Sequence, residues 1–182
     1  SSGQYNTAIG YEAMKGFTTS GYNTAIGGYS LHEIGNTGDA DGSYVAIGFS
    51  AGRRLQGAQY GRSVAIGAYA LDYGYGAQYT VAIGYQAGQY ATGSGNTFIG
   101  QWAGRGSQNS APYSAGGSNT AIGYQALYSH KTSGVSGNVA VGYYALYENE
   151  KSAANTALGY AAGYNLTDSN STVIGYETGR YS

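Results

Sequence analysis

The octad Asn119-Thr120-Ala121-Ile122-Gly123-Tyr124-Gln125-Ala126 has variants at ten places in the chain, and everything else connects one copy to the next. The glycine that closes its Ala-Ile-Gly falls at Gly10, Gly27, Gly48, Gly67, Gly84, Gly100, Gly123, Gly142, Gly159 and Gly175, with spacings of 17, 21, 19, 17, 16, 23, 19, 17 and 16. Such a period fits one coil of a solenoid, whose short units cannot bury a face alone and are covered by their neighbours. The residue before the glycine is Ile in eight copies, with Val141 and Leu158 in the others; the residue before that is Ala in eight, with Phe98 and Val173 as exceptions. One step further back stands Thr or Val. An alternation of period two over so few residues describes a short half-buried strand. On size, the predicted core is one continuous column of Ile9, Ile26, Ile47, Ile66, Ile83, Ile99, Ile122, Val141, Leu158 and Ile174. The small residues Ala8, Ala25, Ala46, Ala65, Ala82, Ala121, Ala140 and Ala157 would then form a flat opposite face that a second sheet or chain can approach closely.

After the glycine comes Tyr in six copies, then a variable residue, then Ala, Ser30 or Thr178, and then either Gly or a large apolar residue such as Leu71. A glycine at a fixed place after a strand supplies a positive φ and turns a corner that a Cβ would block. Stacked coils place Tyr11, Tyr85, Tyr124, Tyr143, Tyr160 and Tyr176 in one column, with gaps in tyrosine at Gly28, Phe49, Ala68 and Gln101. Asn6, Asn23, Asn96, Asn119, Asn138 and Asn155, which precede their strands, form a hydrogen-bonded ladder at another corner.

Composition agrees with a solenoid and not with an ordinary globular core: 182 residues hold 33 glycines and 22 tyrosines against three phenylalanines and one proline. Strict recurrence of Ile and Ala argues against the disorder that a Gly/Ser/Tyr-rich composition suggests. Eight Lys/Arg and nine Asp/Glu give a net charge of −1 and no basic stripe, so counterion release does not drive nucleic-acid binding. No apolar run is long enough to span a membrane as a helix, and the absence of cysteine excludes disulfides and thiolate metal sites. The expected domain is a single repeat array over residues 1–182. Joining Ser182 of one copy to Ser1 of another would separate Gly175 from the next Gly10 by 17 residues, a spacing already present, so the coils are expected to continue axially in a longer fibre or a head-to-tail filament.

The runs Ser63-Val64-Ala65-Ile66-Gly67-Ala68-Tyr69-Ala70 and Thr80-Val81-Ala82-Ile83-Gly84 resemble the repeats of YadA-type trimeric autotransporter adhesin heads. The Asn-Thr-Ala-Ile-Gly-Tyr-Gln-Ala form is similar to repeats of phage tail fibres and other bacterial surface fibres. The resemblance covers all ten coils and implies a left-handed parallel β-roll, three chains around a common axis, and an adhesive or fibre-forming role at the cell surface or on a virion. Those heads have a shorter, more regular repeat, and they carry no catalytic residues or cofactor.

Candidate sites are few. Asp39-Ala40-Asp41-Gly42 opens like a calcium loop, but the third ligand and the distal bidentate Glu are missing, which leaves a solvated turn as the default. Arg53, Arg54 and Arg105 follow the corner and suit anionic glycans, and Trp102 suits stacking on a sugar face. The expected function is that of a structural or adhesive repeat domain with no catalysis, its partner a further copy of itself. A receptor or glycan would bind the long connections 35–43 and 106–118. A polysaccharide-acting enzyme would need clustered acids, and ice binding is disfavoured because Thr alternates with Val beside Ile.

Overall fold

A computed structural model describes residues 3–16, 21–33, 42–55, 61–107, 114–130 and 134–180. It is a β-solenoid built on ten three-residue strands: β1 (Thr7–Ile9), β2 (Thr24–Ile26), β3 (Val45–Ile47), β4 (Val64–Ile66), β5 (Val81–Ile83), β6 (Thr97–Ile99), β7 (Thr120–Ile122), β8 (Val139–Val141), β9 (Thr156–Leu158) and β10 (Thr172–Ile174). They form one parallel sheet in sequence order, one strand per coil, and coils are numbered below by their strands. Register is unbroken: Thr7 lies beside Thr24, Ala65 beside Ala82, and Ile122 beside Val141.

The closing glycine has φ between +123° and +138° in every coil. This lies outside the left-handed pocket that L-residues occasionally visit, so only glycine adopts it without strain. Space imposes the same choice, because a Cβ on Gly67 would lie 2.5 Å from the carbonyl oxygen of Gly84, and one on Gly48 would lie 2.7 Å from the carbonyl carbon of Gly67. Three further positions per coil, five residues before this glycine and two and four after it, have φ between +47° and +72°. Every non-glycine residue of positive φ among those described falls at one of these three positions, including Leu31, Leu71, Leu127 and Leu146. The left-handed conformation costs such residues about 1–2 kcal/mol each, so the rest of the coil must hold them there.

Hydrogen bonds between coils do so. Around the corner of coil 4, Gly67 N–H donates to Ile47 O (2.8 Å) and Tyr69 N–H to Phe49 O (2.9 Å), both in the preceding coil. Past the corner, Leu71 N–H donates to Ala87 O (3.0 Å) and Tyr73 N–H to Gln89 O (2.8 Å), both in the following coil. The N–H groups in between close turns within the coil, as Ala70 does on Gly67 (3.2 Å) and Gly74 on Leu71 (3.1 Å). Alternating αL residues thus aim every second amide along the axis and satisfy a backbone that has little regular strand.

The asparagine ladder is present. Asn119 Oδ1 accepts the backbone N–H of Asn138 at 2.9 Å, Asn138 Oδ1 that of Asn155 at 2.9 Å, and Asn155 Oδ1 that of Ser171 at 2.8 Å. In coils 4 and 5, where asparagine is absent, hydroxyls replace it: Thr80 N–H donates to Ser63 Oγ at 3.2 Å and Asn96 N–H to Thr80 Oγ1 at 3.4 Å.

The two faces of the strands are the reverse of the expectation from side-chain size. Ala25, Ala46, Ala65, Ala82, Ala121, Ala140 and Ala157 are fully buried, and the interior column is theirs. Of the predicted core column, Ile9, Ile47, Ile83, Ile99, Ile122, Leu158 and Ile174 are exposed, and Ile26, Ile66 and Val141 are half-buried. The bore of the coil explains this. A second column of small residues (Ala51, Ala70, Ala87, Ala103, Ala126, Ala145 and Ala162) is also fully buried, which leaves little space within the coil for a larger side chain opposite it. Core volume comes instead from leucines on the αL corner, set against glycines of neighbouring coils: a Cβ on Gly52 would meet Leu31 Cδ2 at 3.0 Å, and one on Gly163 would meet Leu146 Cδ2 at 2.9 Å. Phe98 is the one large inward residue of a strand, and it fits because Gly88 and Gly104 have no Cβ where its ring lies.

Ala82→Asp therefore unfolds the central coils by burying an unpaired charge, whereas Ile83→Asp, one residue further on, leaves the solenoid folded. Thermal melts followed by circular dichroism distinguish the two, and the opposite ranking would return the isoleucines to the interior.

Candidate functional site

Three exterior features differ in chemistry. The first is the outer face of the sheet, where Thr or Val and Ile, Val or Leu stand in register through ten rungs and no strand residue is charged. Ile83 is 36% exposed and Leu158 47%, so this face is open in a single chain.

The second is an aromatic column on the corner after the glycine. Where the first residue after the glycine is Gly28, Ala68 or Gln101, the second is Tyr29, Tyr69 or Trp102, and these rings fill the gaps expected in the tyrosine column. Centroids follow at 5.4 Å (Tyr11 to Tyr29), 5.7 Å (to Phe49), 5.5 Å (to Tyr69), 6.2 Å (to Tyr85) and 6.3 Å (to Trp102). They continue at 5.5 Å (Trp102 to Tyr124), 4.8 Å (to Tyr143), 5.3 Å (to Tyr160) and 5.0 Å (to Tyr176). From Tyr11 to Tyr85 neighbouring rings meet edge to face, with interplanar angles of 75° to 88°. From Tyr124 onward they stack at 19°, 7° and 10°.

The third is the edge beyond that corner. In coils 1 to 4 it is ionic: Glu12 Oε2 lies 2.9 Å from His32 Nε2, Arg54 Nε lies 2.7 Å from Glu33 Oε2, and Arg53 Nε lies 3.0 Å from Asp72 Oδ1. Asp72 is buried, and that burial raises its carboxyl above the usual range against the pull of Arg53 and Arg54. In coils 7 to 9 the same edge is a stack of Tyr128, Tyr147 and Tyr164 at 5.1 and 4.9 Å. Burial and the neighbouring phenols push Tyr147 up to about 12.

The predicted ligand residues do not converge. Trp102 belongs to the aromatic column, where its Nε1 donates to Gln86 Oε1 at 2.6 Å. Arg54 packs over the Tyr73 ring at 4.4 Å and pairs with Glu33. Arg105 donates to Gln89 Oε1 at 3.2 Å and to Tyr128 Oη at 2.9 Å while lying over the ring of Tyr90. These arginines tie one coil to the next. Asp39 and Asp41 lie outside the described residues, as does most of the connection 35–43 and residues 108–113 of the second. Among the described residues no group of three or more His, Asp or Glu could hold a metal ion, and no helix is long and apolar enough to cross a membrane.

Two features had no signal in the sequence. One is an open cleft of about 390 Å³ between the connections of coils 8 and 9, lined by Glu148, Glu150, Lys151, Asn165, Leu166 and Thr167. The other is His130, fully buried 5.6 Å from the Phe98 ring, with Nδ1–H donating to Leu127 O at 3.2 Å and Nε2 without a partner. The chain matches no protein-family model, no curated protein and no solved structure.

Burial lowers the His130 pKa to about 4 from an ordinary 6.5. The unfolded chain binds this proton below pH 6.5 and the folded chain only near 4, so stability falls as pH drops through that window. The limit of the loss is about 3 kcal/mol. Urea melts between pH 7 and pH 4 measure it. His130→Leu removes the part of the slope due to the imidazole, which the difference between the two proteins separates from the carboxylates; equal slopes would show that His130 does not titrate this way.

Proposed function

We propose that the chain is a structural, self-associating repeat domain of an extracellular fibre, in which copies pack side by side through the outer face of the sheet. The observation that carries this reading is that the uncharged Thr/Val and Ile columns are exposed or half-buried over ten rungs, the Ile column being exposed in seven of them. Contiguous apolar surface of that extent marks an interaction site. In-register repetition makes the face complementary to a copy of itself, because a rung of one chain meets a rung of the same width in the next. The contact surface thus differs from the alanine face expected on size, while the homo-oligomer remains the proposed state. Three copies around one axis and a left-handed coil are what the resemblance to YadA-type heads implies. An adhesive role assigns receptor or glycan contact to the connections 35–43 and 106–118, and a location at the cell surface or on a virion follows from the same resemblance.

Sedimentation velocity tests the assembly. Ile83→Lys with Ile122→Lys places charges at two exposed positions of the face, and the expected result is a monomer with an unchanged circular dichroism spectrum. A parent protein that is monomeric at every concentration, or an oligomer indifferent to both lysines, would remove the proposal.

A further inference from the structure

Each coil holds an aromatic ring at the first or second position after the corner glycine, and coil 8 holds one at both, Tyr143 and Tyr144. Bulk alone does not account for the pattern, because none of these twenty positions holds Leu, Ile, Val or Met, which would cover the same surface. A hydroxyl group does not account for it either, since Phe49 and Trp102 serve as rungs. What the rungs share is a π system in contact with the π systems above and below. Stacking on sugars requires an open ring face, and in coils 8 and 9 both faces of Tyr143 and Tyr160 are covered by stacked neighbours. The exposed part of these two residues is thus not a ring face.

We propose that the column from Tyr69 to Tyr176 is a relay for single-electron oxidising equivalents. Its rings are phenols and one indole, the side chains most readily oxidised by one electron, at successive centroid distances of 4.8 to 6.3 Å. A one-electron oxidant, such as a metal-centred or radical species, takes an electron from one phenol, whose O–H proton passes to water, leaving a neutral tyrosyl radical. The next ring then gives an electron to that radical and its own O–H or N–H proton to water, while the reduced phenolate takes a proton back from water, so that the vacancy moves one coil along with atoms and charge in balance. Tyr85, Tyr143, Tyr160 and Tyr176 are exposed, so their protons exchange directly with solvent. Phe49 ends the relay, because a benzene ring without a hydroxyl is far harder to oxidise, although it packs against Tyr29 and Tyr69 as well as a phenol would. The relay is independent of self-association, since it lies within one chain.

The composition supplies the test. With no cysteine in the chain, Glu177→Cys accepts a ruthenium photo-oxidant at one place beside Tyr176, and with a single tryptophan the loss of indole fluorescence reads Trp102 alone. Trp102 stands four coils away, roughly 19 Å along the axis. Flash oxidation in dilute aerated solution is expected to oxidise Trp102, its radical being trapped by dissolved dioxygen, with a yield independent of protein concentration. Tyr160→Phe keeps the stacked ring and removes only its redox chemistry, so it should abolish that oxidation, while Tyr79→Phe, off the column, should leave it intact. A purely structural column would not respond to Tyr160→Phe. Intact Trp102 in the labelled parent, or equal oxidation with and without the Tyr160 hydroxyl, would overturn the relay.

Discussion

The constraint on which the rest depends is the contact of one corner glycine with the next. A backbone at φ near +130° with a neighbouring carbonyl where a Cβ would stand admits a single residue type, and nine such contacts in sequence set the vertical alignment of the ten coils. The connections range widely enough to make spacings of 16 to 23 residues, yet the strands never slip by one. A slip would turn every strand side chain to the other face. Because the glycines fix register, whatever stands at a given offset from them stacks on its own kind. The alanine column, the asparagine ladder and the aromatic column are therefore consequences of one alignment and not separate devices.

The same alignment explains why size and burial part company. In most domains the largest apolar residues lie inside because the interior has room for them. Here Ala82 faces inward and Ile83 outward, as the bore between the two alanine columns is narrow. Phe98 points inward because Gly88 and Gly104 yield the space for its ring. Stability then rests on many short contacts between successive coils, in the nearest-neighbour manner of repeat proteins.

Much of this is legible in the sequence. Period-two alternation located all ten strands, the recurring glycine located the corner, and Asn119, Asn138 and Asn155 marked their ladder. Alternation does not say which of its two faces is inside, and choosing by size chose wrongly. A signal does exist at one coil, since the bulky exception in the alanine position, Phe98, comes with Gly88 in the preceding coil and Gly104 in its own. The αL positions were hidden for another reason. They hold Tyr, Leu, Gln, Ser and Glu as readily as Gly, because backbone bonds to adjacent coils hold the conformation and the side chain has little part in it. Trp102 and the three arginines suit ligands by residue type, and the rings and acids that stand beside them in neighbouring coils are not visible in the sequence.

The exterior divides its chemistry by column and not by domain. In coils 1 to 4 the charges on the edge beyond the corner pair off, Glu12 with Lys15, Glu33 with Arg54 and Asp72 with Arg53, and the strands of the sheet carry none. An uncharged face beside an internally compensated edge has no net field to repel a copy of itself, which is the electrostatic condition for close side-by-side packing. The aromatic column lies on the corner after the glycine, where Tyr85, Tyr143, Tyr160 and Tyr176 are exposed in the single chain. Lateral association through the strands and electron transfer along the corner would thus use separate columns of the same coil. A residue could change at one without disturbing the other, because each column meets its own kind above and below.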